Sequence, residues 1–151
     1  MKILAPISSI MTTRLHTVDG ADKLLKVKEI FDTYPIHHVP VVRHRQIIGM
    51  ISKTDLMHFL RGYTFTEEDK FINEARMRNF TAEKIMTTGI AKVSPHDRIN
   101  VALEVFLENR FHAIPVVEND DLVGIITTFD IIRALAEAQI TSEERLESQN
   151  L

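Results

Sequence analysis

Two short patterns carry the most definite chemistry in this chain: Ser52-Lys53-Thr54-Asp55 and Thr127-Thr128-Phe129-Asp130, each a hydroxyl three residues ahead of a carboxylate. Each follows a β-rich run led by glycine, Gly49-Met50-Ile51 or Gly124-Ile125-Ile126, and so falls at a strand-to-helix junction. The first turn of a helix leaves backbone N–H groups unpaired and carries partial positive charge. A carboxylate there can accept hydrogen bonds from both hydroxyls of a ribose, while the Ser/Thr hydroxyl and the helix N-terminus can meet phosphate oxygens. The same spacing also suits a simple cap, with Ser52 and Thr127, or Asp55 and Asp130, doing no more than satisfying the backbone of their own helices. On residue pattern alone, capping and sugar-phosphate recognition both remain open.

Other catalytic chemistry finds little support. The chain has no cysteine, which removes disulfides, thiolate nucleophiles and Cys-based metal sites. Seven histidines include the adjacent His37 and His38, but no HExxH element or strained GxSxG nucleophile motif occurs. His37 and His112 are read as structural or phosphate-facing residues at a helix-to-strand turn. The expectation is a non-enzymatic protein with no metal site and no required cofactor.

The elements that must position these motifs come from a duplication. An ungapped offset of 75 residues superposes Ile10-Met11-Thr12-Thr13 on Ile85-Met86-Thr87-Thr88, Phe31 on Phe106 and His37 on His112. It also superposes Pro40-Val41-Val42 on Pro115-Val116-Val117, Gly49 on Gly124 and Asp55 on Asp130. Such self-similarity marks two copies of one supersecondary unit. Each copy reads strand, helix, strand, strand, helix. Ser94-Pro95-His96-Asp97 predicts a helix start, with serine as N-cap and proline at the first helical position. Ile99, Ala102, Leu103 and Phe106 then recur at helical spacing, as do Leu24, Val27 and Phe31 in the first copy, and these stripes are core. A two-stranded hairpin follows in each copy. Its tip is Arg43-His44-Arg45 in the first and Glu118-Asn119-Asp120-Asp121 in the second. Those charges are either solvated or steer tips together across an oligomer interface. Thr66-Glu67-Glu68-Asp69 predicts a capped connecting helix running to Asn79, and Thr141-Ser142-Glu143-Glu144 predicts a further short helix. The expected organisation is a first domain over 1–61, a helical linker over 62–80, a second domain over 81–137 and a tail over 138–151.

Composition sets the class. Hydrophobic residues make up 44% of the 151 and charged residues 26%, as in a globular protein, and no apolar run has the length of a bilayer-spanning helix. The first residues lack the apolar segment of a signal peptide, so a cytoplasmic location is expected. A net charge of -3 without a Lys/Arg run argues against nucleic acid as a partner.

Taken in order and twice over, the Ile-Met-Thr lead, the helix, the Pro-Val-Val strand and the glycine-led strand ending in Ser/Thr-x-x-Asp resemble the CBS family. The resemblance covers about residues 6–61 and 81–137. It implies an α/β fold of the α+β type: a tandem CBS-domain pair, or Bateman module, with two β-α-β-β-α repeats packed pseudo-symmetrically through their sheets. Two clefts between the repeats, association into a homodimer and an adenosine-containing effector such as AMP, ADP, ATP, S-adenosylmethionine or NAD are implied as well. Residue by residue, Val39-Pro40 and Ile114-Pro115 would wall the clefts, and Leu15-His16 and Ile90-Ala91 would contact adenine. Ser52, Lys53 and Asp55, with Thr127 and Asp130, would meet ribose and phosphate. Many members carry an arginine just before the motif aspartate, where this chain has Thr54 and Phe129. The function implied is regulation of a separate target protein by ligand-driven conformational change. The alternative is a dimerisation or protein-interaction module with empty or vestigial clefts.

Overall fold

The computed structural model describes residues 2–60, 66–108 and 111–149, with side chains to residue 138. The chain divides into two compact units, and neither is a continuous stretch. One is built on the first repeat and comprises His16–Ile90 with Asp120–Leu122. The other is built on the second repeat and comprises Met1–Leu15, Ala91–Asn119 and Val123–Leu151. Each unit thus takes the segment that leads into the opposite repeat, 1–15 in one case and 81–90 in the other.

In the first-repeat unit, β1 (Val18–Asp19) runs parallel to β2 (His38–Arg43), which pairs antiparallel with β3 (Gln46–Ser52). Helix α1 (Leu24–Thr33) crosses between β1 and β2, and α2 (Lys53–Phe59) follows β3 directly. The β2–β3 turn holds His44 and Arg45 at φ 50° and 71°, the two positive values that a right-twisted hairpin favours. Leu24, Val27 and Phe31, the predicted stripe of α1, join Val18, Val39, Val41, Ile51, Leu56, Leu60 and Ala82 in one apolar core. The connecting helix forms as expected: α3 (Glu67–Asn79) starts in a reciprocal Thr66–Asp69 capping box. It packs along α1, and its Arg76 reaches the Phe59 carbonyl at 3.0 Å. A single turn, α4 (Ala82–Ile85), closes the unit.

In the second-repeat unit, β4 (Ala113–Glu118) and β5 (Asp121–Thr127) form the hairpin, with Asn119 and Asp120 again at positive φ. The leading strand is reduced to one parallel bridge, Val93 to Val116. Helix α5 (Ile99–Leu107) lies over a core of Ile7, Val93, Ile99, Ala102, Ile114, Val116, Ile126 and Ile131. The predicted fold class therefore holds, with two β-α-β-β-α repeats, each around its own sheet. Helix α6 runs unbroken over Thr128–Gln149, so Thr141 does not start a separate helix. Asn150 and Leu151, at the end of the predicted tail, lie outside the described residues.

The predicted N-cap at Ser94 is not where α5 begins. Asp97 Oδ2 accepts the Ser94 N–H at 2.7 Å and Ser94 Oγ accepts the His96 N–H at 3.2 Å, which makes a self-contained turn ahead of the helix. The helix starts five residues later, at Ile99, with no side-chain cap. Its first amides are satisfied by backbone instead: Ile99 N–H donates to the Ala5 carbonyl and Asn100 N–H to Ile3, both at 3.0 Å. In the other unit, Leu24 N–H likewise donates to the Phe80 carbonyl at 3.0 Å. The segment 1–15 thus supplies the cap that α5 lacks in its own sequence, and Phe80, at the end of α3, does the same for α1.

Near α1, Asp22 Oδ2 accepts from the Asp19 N–H and from Lys26 Nζ. Partial burial pushes the Asp22 carboxyl up, but these donors outweigh it and hold it below the ordinary carboxylate value. Its contribution to stability is present above the unfolded carboxylate pKa and is lost as pH falls through the depressed folded value.

On α5 the side-chain oxygen of the half-buried Asn100 is buried without a hydrogen-bond partner among the described residues. Leu25 stands at the equivalent position of the first repeat. Because an unsatisfied buried acceptor carries a penalty, Asn100→Leu is expected to stabilise the protein by about 1 kcal/mol. Urea denaturation would show this as a raised midpoint at unchanged slope.

Candidate functional site

Both Ser/Thr-x-x-Asp elements sit where the spacing placed them, at the β3–α2 and β5–α6 junctions. Both form capping boxes. Ser52 N–H donates to Asp55 Oδ2 at 2.7 Å, and Asp55 N–H donates to Ser52 Oγ at 3.0 Å. Thr127 N–H donates to Asp130 Oδ2 at 2.8 Å, and Asp130 N–H donates to Thr127 Oγ1 at 3.2 Å. The next amide is taken too: Lys53 N–H donates to the His37 carbonyl at 2.9 Å and Thr128 N–H to the His112 carbonyl at 3.2 Å. The repeat equivalence of His37 and His112 therefore has a backbone basis, since each carbonyl fastens the start of the following helix.

Beyond the cap the two motifs differ. Asp130 is 2% exposed, and both of its oxygens carry further bonds. Thr127 Oγ1 donates to Oδ2 at 2.7 Å, while Thr12 Oγ1 and Arg133 Nη2 donate to Oδ1 at 3.0 and 2.7 Å. Arg133 also reaches the Ile10 carbonyl at 3.4 Å and lies 6.0 Å from the centre of the exposed Phe129 ring. Asp55 is only half-buried, and among the described residues its Oδ1 accepts no hydrogen bond. The first-repeat equivalents of Thr12 and Arg133 are Thr87 and His58. Both are exposed, and neither reaches Asp55.

The leading segments meet the sheets beside these motifs. Thr12 makes a two-way antiparallel bridge with Ile125, at 2.9 Å in each direction, and Thr87 makes the same bridge with Met50, at 2.8 and 3.0 Å. Glycine permits the approach. A Cβ on Gly124 would lie 2.8 Å from Met11 Sδ and 3.2 Å from the Thr12 carbonyl, and one on Gly49 would lie 2.6 Å from Met86 Sδ.

The remaining residues of the predicted set are placed as follows. Val39 and Ile114 are fully buried in their cores, and the adjoining Pro40 and Pro115 are buried as well. Lys53 is exposed. His16 stacks on Tyr34 with ring centres 3.6 Å apart. Leu15 ends a segment of the second-repeat unit and His16 begins the other unit; Ile90 and Ala91 divide in the same way. The hairpin-tip charges meet within one chain: Leu122 N–H donates to the Arg45 carbonyl at 3.0 Å, and Arg45 Nε lies 3.3 Å from Asp121 Oδ2. No group of three or more His, Asp or Glu among the described residues is arranged to hold a metal ion. Sequence reasoning missed Arg133 and Thr12. Arg133 had a local signal, being one turn after Asp130, but Thr12 lies 118 residues away and had none.

Two β-α-β-β-α repeats, each with a capped Ser/Thr-x-x-Asp junction, define a tandem module of paired small domains. The chain belongs to the CBS domain family, whose description matches residues 7–62 and again 82–137. Among solved structures it is similar to the CBS-pair protein CBSX2 of Arabidopsis thaliana, at 24% identity and TM-score 0.77 over 89% of this chain and 96% of that one. A CBSX2 structure in complex with AMP gives 23% identity and TM-score 0.72, covering 89% and 98%. The CBS domain pair of protein MJ0100, in complex with 5′-methylthioadenosine and S-adenosyl-L-methionine, gives 20% and 0.73 over 89% and 98%. At these identities the likeness establishes the fold. The 5′-AMP-activated protein kinase subunit gamma-3 of Sus scrofa is 26% identical over 115 residues, 74% of this chain. This chain spans about a fifth of that subunit's length, 21%.

Proposed function

We propose that this chain is a non-catalytic regulatory module that binds an adenosine-containing ligand and passes the event to a separate target protein by conformational change. AMP, ADP, ATP, S-adenosylmethionine and NAD are the candidate effectors, and the cytoplasm is the proposed setting. The observation that carries the reading is Asp55. Its Oδ2 is spent on the cap, while its Oδ1 is left with no described partner beside an exposed lysine, Lys53, at a strand-to-helix junction. A carboxylate oxygen so placed can accept from ribose hydroxyls, and the ammonium can meet a phosphate. The ligands in the complexes of the two related CBS pairs, AMP and S-adenosyl-L-methionine with 5′-methylthioadenosine, are of the same chemical class.

Isothermal titration with AMP, ATP, S-adenosylmethionine and NAD tests the reading, and absence of heat with all four would refute it. A charge-assisted hydrogen bond contributes about 1.5–3 kcal/mol, so Asp55→Ala is expected to weaken binding at least tenfold. Thr66→Ala serves as the control. It removes the cap hydroxyl of α3, costing roughly 0.5–2 kcal/mol of stability, and leaves the Asp55 motif intact. Equal affinity losses in the two variants would assign the effect to general destabilisation rather than to Asp55.

A second reading, dimerisation, has its own observation. Phe129, Ile132 and Leu135 form an apolar stripe on α6 that is 65%, 62% and 46% exposed. Burying such a stripe against a second copy would remove it from water. Sedimentation of wild type and Ile132→Glu, with and without AMP, distinguishes a constitutive dimer from a ligand-dependent one.

A further inference from the structure

We infer that the two Ser/Thr-x-x-Asp motifs have divided their labour: Asp130 is a clamp that fastens the leading segment, and ligand binding falls to the Asp55 motif, one ligand per chain. This rests on the adenosine reading for its ligand but not for its clamp. A carboxylate has about four lone-pair positions. Asp130 fills them with Thr127 N–H, Thr127 Oγ1, Thr12 Oγ1 and Arg133 Nη2. A ribose diol would have to displace Thr12 or Arg133. Displacing Arg133 removes the only cation that the described structure pairs with this buried carboxylate, and such a loss is costly. Arg133 also holds the Ile10 carbonyl, and Thr12 is hydrogen-bonded to Ile125, so all three contacts fasten residues 10–12 to α6 and β5. In the first repeat His58 replaces the arginine, and Asp55 Oδ1 accepts no hydrogen bond among the described residues. Two contacts thus separate the clamp from the receptor: Arg133, replaced by His58, and Thr12, whose counterpart Thr87 does not reach Asp55.

AMP titration of the full chain tests the assignment. One AMP per chain is expected, with Asp55→Ala weakening it at least tenfold and Arg133→Gln and Thr12→Val changing it less than twofold. Hydrogen exchange reads the clamp. Arg133→Gln should speed exchange of the Thr12 and Ile125 amides at least tenfold and leave the Thr87 and Met50 amides unchanged. Two AMP per chain, or a tenfold affinity loss in Arg133→Gln with the fold intact by circular dichroism, would overturn the division of labour. Unchanged Thr12 and Ile125 exchange in Arg133→Gln would overturn the clamp. If wild type binds no adenosine compound, the proposed function and the one-ligand assignment fail, while the exchange measurement still decides the clamp.

Discussion

Ile7→Ala is expected to cost about 2–5 kcal/mol, the usual range for truncating a fully buried isoleucine. Ile7 precedes the first repeat's Ile-Met-Thr-Thr, yet it is 0% exposed in a core whose other buried members all come from the second repeat. Its N–H donates to the Asp97 carbonyl at 2.8 Å, so the backbone has little freedom to follow a shrunken side chain and fill the void. Thermal unfolding should register a loss of about 5–15 °C for a chain of this size. The location of the coupling is more diagnostic than its size. In urea-denaturation double-mutant cycles Ile7→Ala should be non-additive with Ile99→Val, which shares its core, and additive with Val27→Ala in the other core. Coupling to Val27 instead would mean that residues 1–15 pack with their own repeat.

Phe31→Ala should cost about 3–5 kcal/mol, while the same change at Phe106 should cost clearly less. The 75-residue offset makes these phenylalanines equivalent, and on pattern alone they would carry equal weight. The structure separates them. Phe31 is 3% exposed and belongs to the first-repeat core, and its helix α1 packs against α3. Phe106 is only partly buried at the margin of its core. In the second repeat the last helix, α6, runs on unbroken to Gln149. Equal losses in the two variants, measured by urea denaturation, would contradict this difference.

Much of the architecture was legible before any coordinates. Apolar spacing located α1 and α5, the Thr66–Asp69 box located α3, and the glycine-led runs located β3 and β5, because these signals are local. The start of α5 was misread for the converse reason. Ser94-Pro95-His96-Asp97 has the composition of a helix start, but its side chains close on their own turn and the helix amides take carbonyls from residues 3 and 5. A cap supplied by backbone far along the chain leaves no trace in composition. The hairpin-tip charges were similarly ambiguous, since opposite signs do not reveal which partner lies within reach, and Arg45 finds Asp121 in the same chain.

By itself the sequence determined a duplicated β-α-β-β-α unit, its membership in the CBS family and the position of two hydroxyl–carboxylate motifs at helix starts. Only tertiary structure decided which leading segment joins which sheet, and which carboxylate keeps an oxygen without a partner among the described residues. Repeats of one pattern offer similar edges, each with a glycine beside the bridge, so Thr12 and Thr87 suit β3 and β5 equally well as residue types. The choice depends on the path of the whole chain. The fate of each aspartate follows from that choice together with one side chain: Arg133 spans the turn to fill Asp130, and the shorter His58 does not reach Asp55.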